Sequence, residues 1–377
     1  MNRPKRPKYR FPWRAHNRFT LLVDSPQFYP RMLAAIDQAE YWIALEQYLA
    51  ISGRILDRFI DAIINARRRG VMVYMLLDDY GSQGVTAHDR TRLREAGVHL
   101  EFYNPFRWSE LYRSLYRDHR KLLLMDGERA FVGGAGLLDV YDATLHKTGH
   151  WHDVMIEAEG EVCLDWYVSF RGLWEKLSAV PLPMQPLASA PDHNWGRVVV
   201  ARGPFRNEIT RAVIARAKRA QTRFWLSTPY FIATRRLRRH LRRAARKGVD
   251  VRLLLPGAQT DHPWLRFAAR HYYYRLLRDG VRIFEFQPRF IHAKMVLCDD
   301  WVSIGSSNLD RWNQRWNLDA NQIVVHATTA QTVQALFEQD FAQSQEILPE
   351  HWHRRRWHQH LAEWVSIHLV NLIQLVE

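Results

Sequence analysis

Two strings 173 residues apart, His119-Arg120-Lys121-Leu122-Leu123-Leu124-Met125-Asp126 and His292-Ala293-Lys294-Met295-Val296-Leu297-Cys298-Asp299, share the pattern HxKxxxxD. A duplication of this kind constrains the chain to two related halves. If each string lies on a strand, positions i and i+2 project from one face. Each His then stands beside its Lys, and the apolar run carries the strand into the core. One HxK alone would say little, since an edge strand with two solvent-facing polar residues reads the same way. The surroundings, however, repeat as well. Each string precedes a small-residue turn, Gly133-Gly134-Ala135-Gly136 and Gly305-Ser306-Ser307-Asn308, which lets backbone approach a ligand closely. Each half then offers an Asp able to orient a His: Asp153 in Trp151-His152-Asp153 and Asp319 in Asn317-Leu318-Asp319.

The rest of the chain alternates short apolar runs with helical patterns, an α/β order. In the first half, residues 19–23, 41–46 and 70–77 read as strands, and 27–39 and 55–69 as helices. The second half repeats the order, with strands at 197–201, 224–230 and 249–255 and helices at 207–220 and 235–246. Local echoes support a true repeat: Arg69-Gly70-Val71-Met72-Val73 matches Lys247-Gly248-Val249-Asp250-Val251, and Ala96-Gly97-Val98 matches Asp279-Gly280-Val281. Their offsets, 178 (69 to 247) and 183 (96 to 279), drift from 173 as small loop insertions would make them. These patterns divide the chain into a basic arm (1–16), a first α/β domain (17–180), a Pro-rich linker (181–196), a second α/β domain (197–346) and a basic amphipathic tail (347–377). The tail reads either as an interfacial anchor or as a helix docked on the core, and the arm as a lipid-binding or merely solvated segment.

Composition narrows the partners. Lys plus Arg number 54 against 39 Asp plus Glu, a net charge of +15 in 377 residues, so a polyanionic partner is favoured, either nucleic acid or an anionic lipid surface. The 15 Trp tilt this toward a membrane interface, although indoles also serve cores and base stacking. No uncharged apolar stretch approaches the roughly 18 residues of a spanning helix, and the N-terminus lacks the apolar run of a secretory signal, so any membrane association is expected to be peripheral. The two cysteines, Cys163 and Cys298, lie in apolar segments reading as a buried helix and a strand, which fits a reducing compartment without a structural disulfide. Neither a CxxC pair nor HExxH occurs among the 18 His, and the motif lysines would repel a cation; no metal or other cofactor is expected.

Two imidazoles on opposite sides of a bound phosphodiester divide the labour. One, neutral, attacks phosphorus to form a phosphohistidine, while the other, protonated, donates to the departing alkoxide. They exchange proton duties when an acceptor hydroxyl arrives. Lys121 and Lys294 would offset charge on the phosphoryl oxygens, and donors at Gly134, Ser306 and Asn308 would complete the phosphate cradle. Asp153 and Asp319 would bond the far ring nitrogen of the respective His. Asp126 and Asp299 close the catalytic motif strings. They lie five positions beyond the Lys, so structural salt bridges are expected from them before direct catalysis.

These residues resemble the phospholipase D superfamily with its paired HKD motifs, over nearly the whole chain. Within it they look like the bacterial cardiolipin synthases, the B type in particular, on the strength of Asp78-Asp79-Tyr80-Gly81-Ser82, Thr228-Pro229-Tyr230-Phe231, Phe290-Ile291-His292-Ala293-Lys294 and Gly305-Ser306-Ser307-Asn308-Leu309-Asp310. The resemblance implies two pseudo-twofold-related α/β domains, each a mixed sheet flanked by helices, with one active site at their interface. It implies transfer of a phosphatidyl group between glycerophospholipids, with His119 attacking and His292 as acid. Phosphatidylglycerol, with phosphatidylethanolamine as a further substrate, would be met at the anionic cytoplasmic face of the cell membrane, with no obligate protein partner. A phospholipase D-type hydrolase, or a phosphodiesterase including a nuclease, would use the same residues, and for the latter Arg235 to Arg243 could supply charge. A non-enzymatic surface binder is disfavoured by intact motifs in both halves. For acyl chains, Trp108, Leu111, Tyr112, Leu115 and Tyr116 are the candidates. Two departures from the family pattern stand out: Gly136 occupies the place of an Asn, and Asp319 that of a Glu.

Overall fold

The computed structural model describes residues 9–375 except 185–187, 189, 191, 204–206 and 354–356. Arg3 to Lys8 of the basic arm, Pro186 and Pro191 of the linker, and Arg354-Arg355-Arg356 of the tail lie outside the described residues. The first half contains β1 (Asn17–Val23), β2 (Trp42–Gln47), β3 (Met72–Asp78), β4 (His99–Tyr103), β5 (Arg117–Asp118), β6 (Lys121–Met125), β7 (Arg129–Gly133) and β8 (Val154–Gly160). Its helices are α1 (Asp24–Gln38), α2 (Arg54–Arg68), α3 (Ala87–Glu95) and α4 (Val162–Trp174). The second half contains β9 (Trp195–Arg202), β10 (Arg223–Ser227), β11 (Asp250–Pro256), β12 (Arg282–Phe286), β13 (Met295–Cys298), β14 (Trp301–Gly305), β15 (Asn317–Val325) and β16 (Ser344–Glu346). Its helices are α5 (Glu208–Arg219), α6 (Arg235–Arg246), α7 (Pro263–Arg270), α8 (Tyr273–Arg278), α9 (Arg311–Trp316), α10 (Ala327–Ala342), α11 (Pro349–His353) and α12 (Trp357–Leu375).

The repeat expected from the sequence is visible in the strand order. The first sheet runs β1-β8-β7-β6-β2-β3-β4, and the second runs β9-β15-β14-β13-β10-β11-β12, with β16 added beyond β12. In both, three parallel strands (β2-β3-β4 and β10-β11-β12) join an antiparallel set. Strand alternation sorts the leucines of the first motif: Leu122 and Leu124 enter a core shared with Val302, Ile304 and Phe337 of the second half. Leu123 and Met125 turn to the opposite face, against α1 and α2. Helix α2 answers with Leu56, Phe59, Ile60 and Ile63, buried at the helical period. The two sheets therefore do not merely touch; α4 and α10 pack with both into one core. The short strand β5 even crosses to pair with β15.

Several boundaries differ from the sequence reading. Strand β9 starts at Trp195, inside the segment read as linker, because Gly196 pairs with Arg14. That pairing also corrects the reading of the arm. From Tyr9 onward it belongs to the folded body, with Phe11 buried and the Arg14 guanidinium 2.8 Å from Asp165. Strand β10 ends at Ser227, and Tyr230 beyond it turns into the catalytic cavity described below. The tail helix α12 docks: it lies on α7, burying Ile367 and Val370 and setting Glu363 3.4 Å from Arg270. Cys163 and Cys298 are both buried and unpaired, on α4 and β13.

A buried ionic cluster locks the halves beside the site. His152 Nδ1 lies 2.8 Å from Asp24, and its Nε2 lies 3.2 Å from Asp340 of α10; Arg289 of the second half also reaches Asp24. Burial alone would lower the His152 pKa, but the two carboxylates outweigh it and raise it from 6.5 to about 10. A group whose folded value is raised stabilises fully below its unfolded value and loses that contribution as pH climbs through the folded one. Urea unfolding of the wild type and of His152→Gln should therefore show a stability difference that is largest near pH 6 and shrinks steadily toward pH 10. A pH-independent difference would show that the imidazole stays neutral in the fold.

Candidate active site

The two HxK pairs do not sit within strands as the spacing suggested. β6 begins at Lys121 and β13 at Met295, so each His lies on the approach to its strand. The reason is that the His backbone pairs with the other half. His119 N donates to Leu318 O at 2.9 Å, and His292 N donates to His152 O at 2.7 Å. The residue after each acceptor is one of the two expected carboxylates. His119 Nδ1 lies 2.9 Å from Asp319, and His292 Nδ1 lies 2.6 Å from Asp153. The expectation that each Asp serves the His of its own half is thereby corrected: the pairs cross. In both, Nδ1–H donates to the carboxylate, so that Nε2 carries the lone pair.

Both imidazoles line one cavity of about 660 Å³, together with Lys121, Gly134, Asn308 and Asp310. Each ammonium is tethered to the carbonyl of its own motif His, Lys121 at 2.7 Å and Lys294 at 2.5 Å. Lys294 Nζ also lies 2.9 Å from His292 Nε2, a contact that Lys121 does not make with His119 among the described residues. Burial, reinforced by Lys121, lowers the His119 pKa to about 4 against the pull of Asp319. Burial and Lys294 lower His292 likewise to about 4. The lysines are lowered too, to about 7 for Lys121 and about 8 for Lys294, chiefly by burial, with Lys294 adding to the fall at Lys121. Burial would raise the Asp153 carboxyl, but Lys294 and His292 hold it below its usual range. The site is thus a pair of neutral imidazoles and two easily deprotonated ammoniums, poised to gain protons when an anion enters.

Other expected residues separate. Asp126 and Asp299 lie at the far ends of their strands with positive φ, 49° and 55°. Asp126 accepts the backbone N–H groups of Glu40, Tyr41 and Trp42, and Asp299 those of Gln221, Thr222 and Arg223. They clamp turns through backbone bonds, neither lines the cavity, and among the described residues neither forms the expected salt bridge. Ser306 is also corrected: its hydroxyl donates to Asp319 at 2.7 Å, so its proton is committed to positioning that carboxylate. Gly134 keeps its place at the cavity, where a β-carbon would come within 2.3 Å of Asp153. Gly136 is explained sterically, since a β-carbon there would meet Leu49 O and Leu138 at 2.6 Å, and no Asn fits. Of the five acyl-chain candidates only Leu115 lines the cavity; Trp108 is 84% exposed.

Three residues escaped the sequence reading. Tyr141, whose hydroxyl is 2.9 Å from His292 Nδ1 and 3.4 Å from Asp153, does for that pair what Ser306 does for the other. Tyr48 presents its ring 4.7 Å from His119 and 4.9 Å from the Lys121 ammonium. Asp310, within the string already singled out, lines the cavity with a pKa raised by burial to about 6. Only Asp310 carried a sequence signal, its place in the Gly305 to Asp310 turn.

Two α/β halves that cross-supply carboxylates to paired HxK histidines define a phospholipase D-like protein. The chain belongs to the family described as cardiolipin synthase, PLD-like domain, whose model matches residues 32–139 and 213–341 and so includes both motifs. It is 32% identical over 353 residues to cardiolipin synthase A of Pseudomonas putida, covering 90% of this chain and 72% of that one. It is 30% identical over 351 residues to cardiolipin synthase 2 of Bacillus cereus, covering 91% and 68%. Among solved structures, the phosphatidylserine synthase of Haemophilus influenzae superposes with a TM-score of 0.73 at 15% identity, over 97% of this chain and 95% of that one. The polyphosphate kinase of Porphyromonas gingivalis gives 0.61 at 16% identity, over 88% and 49%. Both show the same fold.

The crossed pairing has a direct spectroscopic consequence. In histidine NMR titrations, both motif imidazoles should titrate near pH 4, and Asp319→Asn should lower His119 alone while Asp153→Asn lowers His292 alone. The opposite assignment would return the carboxylates to their own halves.

Proposed function

We propose that the protein is a phosphatidyltransferase that makes cardiolipin from glycerophospholipids through a phosphohistidine. The observation that carries this reading is the cavity. It joins both catalytic pairs to a wall of aromatic and aliphatic side chains, including Tyr48, Phe106, Leu115, Trp151, Ile232 and Trp264. Such a wall receives acyl chains and excludes water from the intermediate. A nuclease would need a basic groove there; apart from Lys121, the one Lys or Arg lining the cavity is Arg117, which is paired with Asp78 at 3.3 Å.

His119 Nε2 attacks the phosphorus of the donor lipid, a P–N bond forming as the P–O bond to the head-group alcohol breaks. His292 passes its proton to the departing oxygen. The acceptor hydroxyl then gives its proton to His292 and attacks phosphorus, releasing His119. The contact between Lys294 and His292 Nε2 supports this order, because an ammonium donating to that lone pair competes with its attack on phosphorus. A bound phosphodiester anion raises both depressed groups, protonating His292 beside Asp153 and keeping the two lysines charged.

Incubation with phosphatidylglycerol vesicles, with and without phosphatidylethanolamine, and mass analysis of the lipids should yield cardiolipin. His119→Ala and His292→Ala should each reduce it roughly 10³-fold or more with the fold intact by circular dichroism. Near wild-type synthesis by either would remove the two-histidine mechanism. The kcat/KM profile should fall as pH rises through 7 to 8, since Lys121 and Lys294 lose charge there in the free enzyme.

The protein would work peripherally on the cytoplasmic face of the cell membrane, where two unpaired thiols persist. Among the described residues no helix is long and apolar enough to cross a membrane. Instead α12 turns Leu361, Trp364, Val365 and Leu369 outward, and the loop before β5 exposes Phe106, Trp108, Leu111 and Tyr112. Both suit insertion among head groups. The wild type should float with phosphatidylglycerol liposomes at low salt, and less so at high salt, where charge is screened beyond about 10 Å at 0.1 M. Trp364→Asp with Leu369→Asp should weaken flotation at both. Equal flotation of variant and wild type would place the anchor elsewhere.

A further inference from the structure

A second cleft, of about 1030 Å³, lies beside the catalytic cavity between α6, α8, α9 and α12. Seven arginines and two histidines line it, and no carboxylate does. A solvated helix face would scatter such charges; here they line one cleft, a concentration of positive charge that suits an anion. Some are fixed in advance. Arg238 stacks 3.6 Å from the centre of the Tyr272 ring, and Arg242 is held by Asp279.

The cleft adjoins the catalytic cavity. Trp312 lines both cavities, and α9, which carries Arg311, begins directly after Asp310 of the catalytic cavity. Helix α12 likewise gives Ile367 to the cleft and Val370 to the catalytic cavity, while its outer face stays apolar and exposed. An anion site rimmed by an exposed apolar face matches an amphiphile better than a nucleic acid, which has no acyl chain to use that face. When an anionic phospholipid is acceptor, its own phosphate is separated from the phosphorus being attacked by a single glycerol. A site for it must therefore adjoin the catalytic cavity.

On the transferase reading above, we propose that this cleft is a second phosphodiester site, holding the phosphate of the acceptor phospholipid while its free hydroxyl reaches the phosphohistidine. Guanidinium forks suit a phosphodiester, donating parallel N–H bonds to its two unesterified oxygens.

The test uses full-length His119→Ala protein, which binds without turnover. Isothermal titration with dihexanoylphosphatidylglycerol, dihexanoylphosphatidylcholine and inorganic phosphate compares it with the same protein carrying Arg235→Gln, Arg239→Gln and Arg311→Gln. The substitutions should weaken phosphatidylglycerol roughly tenfold or more and phosphatidylcholine far less. The single change Arg239→Gln, on an exposed turn of α6, should weaken it roughly threefold and serves if the triple variant misfolds. Unchanged affinity in a folded variant would overturn the proposal. So would inorganic phosphate binding as tightly as the lipid, or a single-stranded oligonucleotide displacing the lipid from the cleft at lower concentration than phosphatidylglycerol itself. Because binding is read without turnover, arginine-dependent lipid binding by an enzyme that makes no cardiolipin would overturn the catalytic reading and leave the anionic-lipid site standing.

Discussion

Everything at the catalytic centre depends on two hydrogen bonds that cross the molecule, His119 to Asp319 and His292 to Asp153. Each fixes a ring tautomer, and each requires the second half to be in register with the first. A slip of one residue along β15 would take Leu318 O away from the His119 amide and Asp319 away from its ring together. The continuous core of α4, α10 and both sheets, and the Asp24–His152–Asp340 cluster, are therefore part of the site's geometry. A buried cluster of this kind sets position more than it adds stability, since desolvation offsets much of its Coulomb attraction. The neighbouring strain-prone backbone is consistent with such a role: Asp24 holds a positive φ of 58°.

Sequence spacing revealed the motif residues, both orienting carboxylates and the order of strands and helices, because those follow from local periodicity and from repetition. It did not reveal partners across the interface. Nothing in the interval from His119 to Asp153 differs from that between His292 and Asp319 in a way that says whether a pair closes within a half or between halves. The same blindness explains Asp126 and Asp299. As the last letter of a repeated string they shared the status of its His and Lys, yet strands of five and four residues carry them to the opposite end of each sheet. Ser306 failed for a subtler reason. A hydroxyl near a phosphate site has one proton to give, and here a carboxylate at 2.7 Å takes it.

The halves are alike in strand order and unlike where chemistry needs a difference. Ser306 braces one carboxylate and Tyr141 the other, while Asn308 lines the cavity from one turn and the opposite turn has a sterically enforced Gly136 where the family carries Asn. Lys294 reaches a ring nitrogen of its histidine, whereas the Lys121 ammonium lies against the Tyr48 ring. Two symmetric imidazoles of equal pKa could not have assigned roles. Small changes around identical motifs supply the assignment without moving the motifs themselves.

The largest asymmetry is outside the repeat. Helices α8, α9 and α12 build the arginine-lined cleft against α6, on the second half. Among the described residues the first half has no such cleft; its approach to the cavity is the exposed aromatic loop around Trp108. A twofold fold with one basic and one aromatic entrance offers two different surfaces to its lipids, although its two histidines are near-equivalent. The direction of transfer can then be set by which lipid each entrance retains, with the catalytic pairs left free to conserve their common geometry.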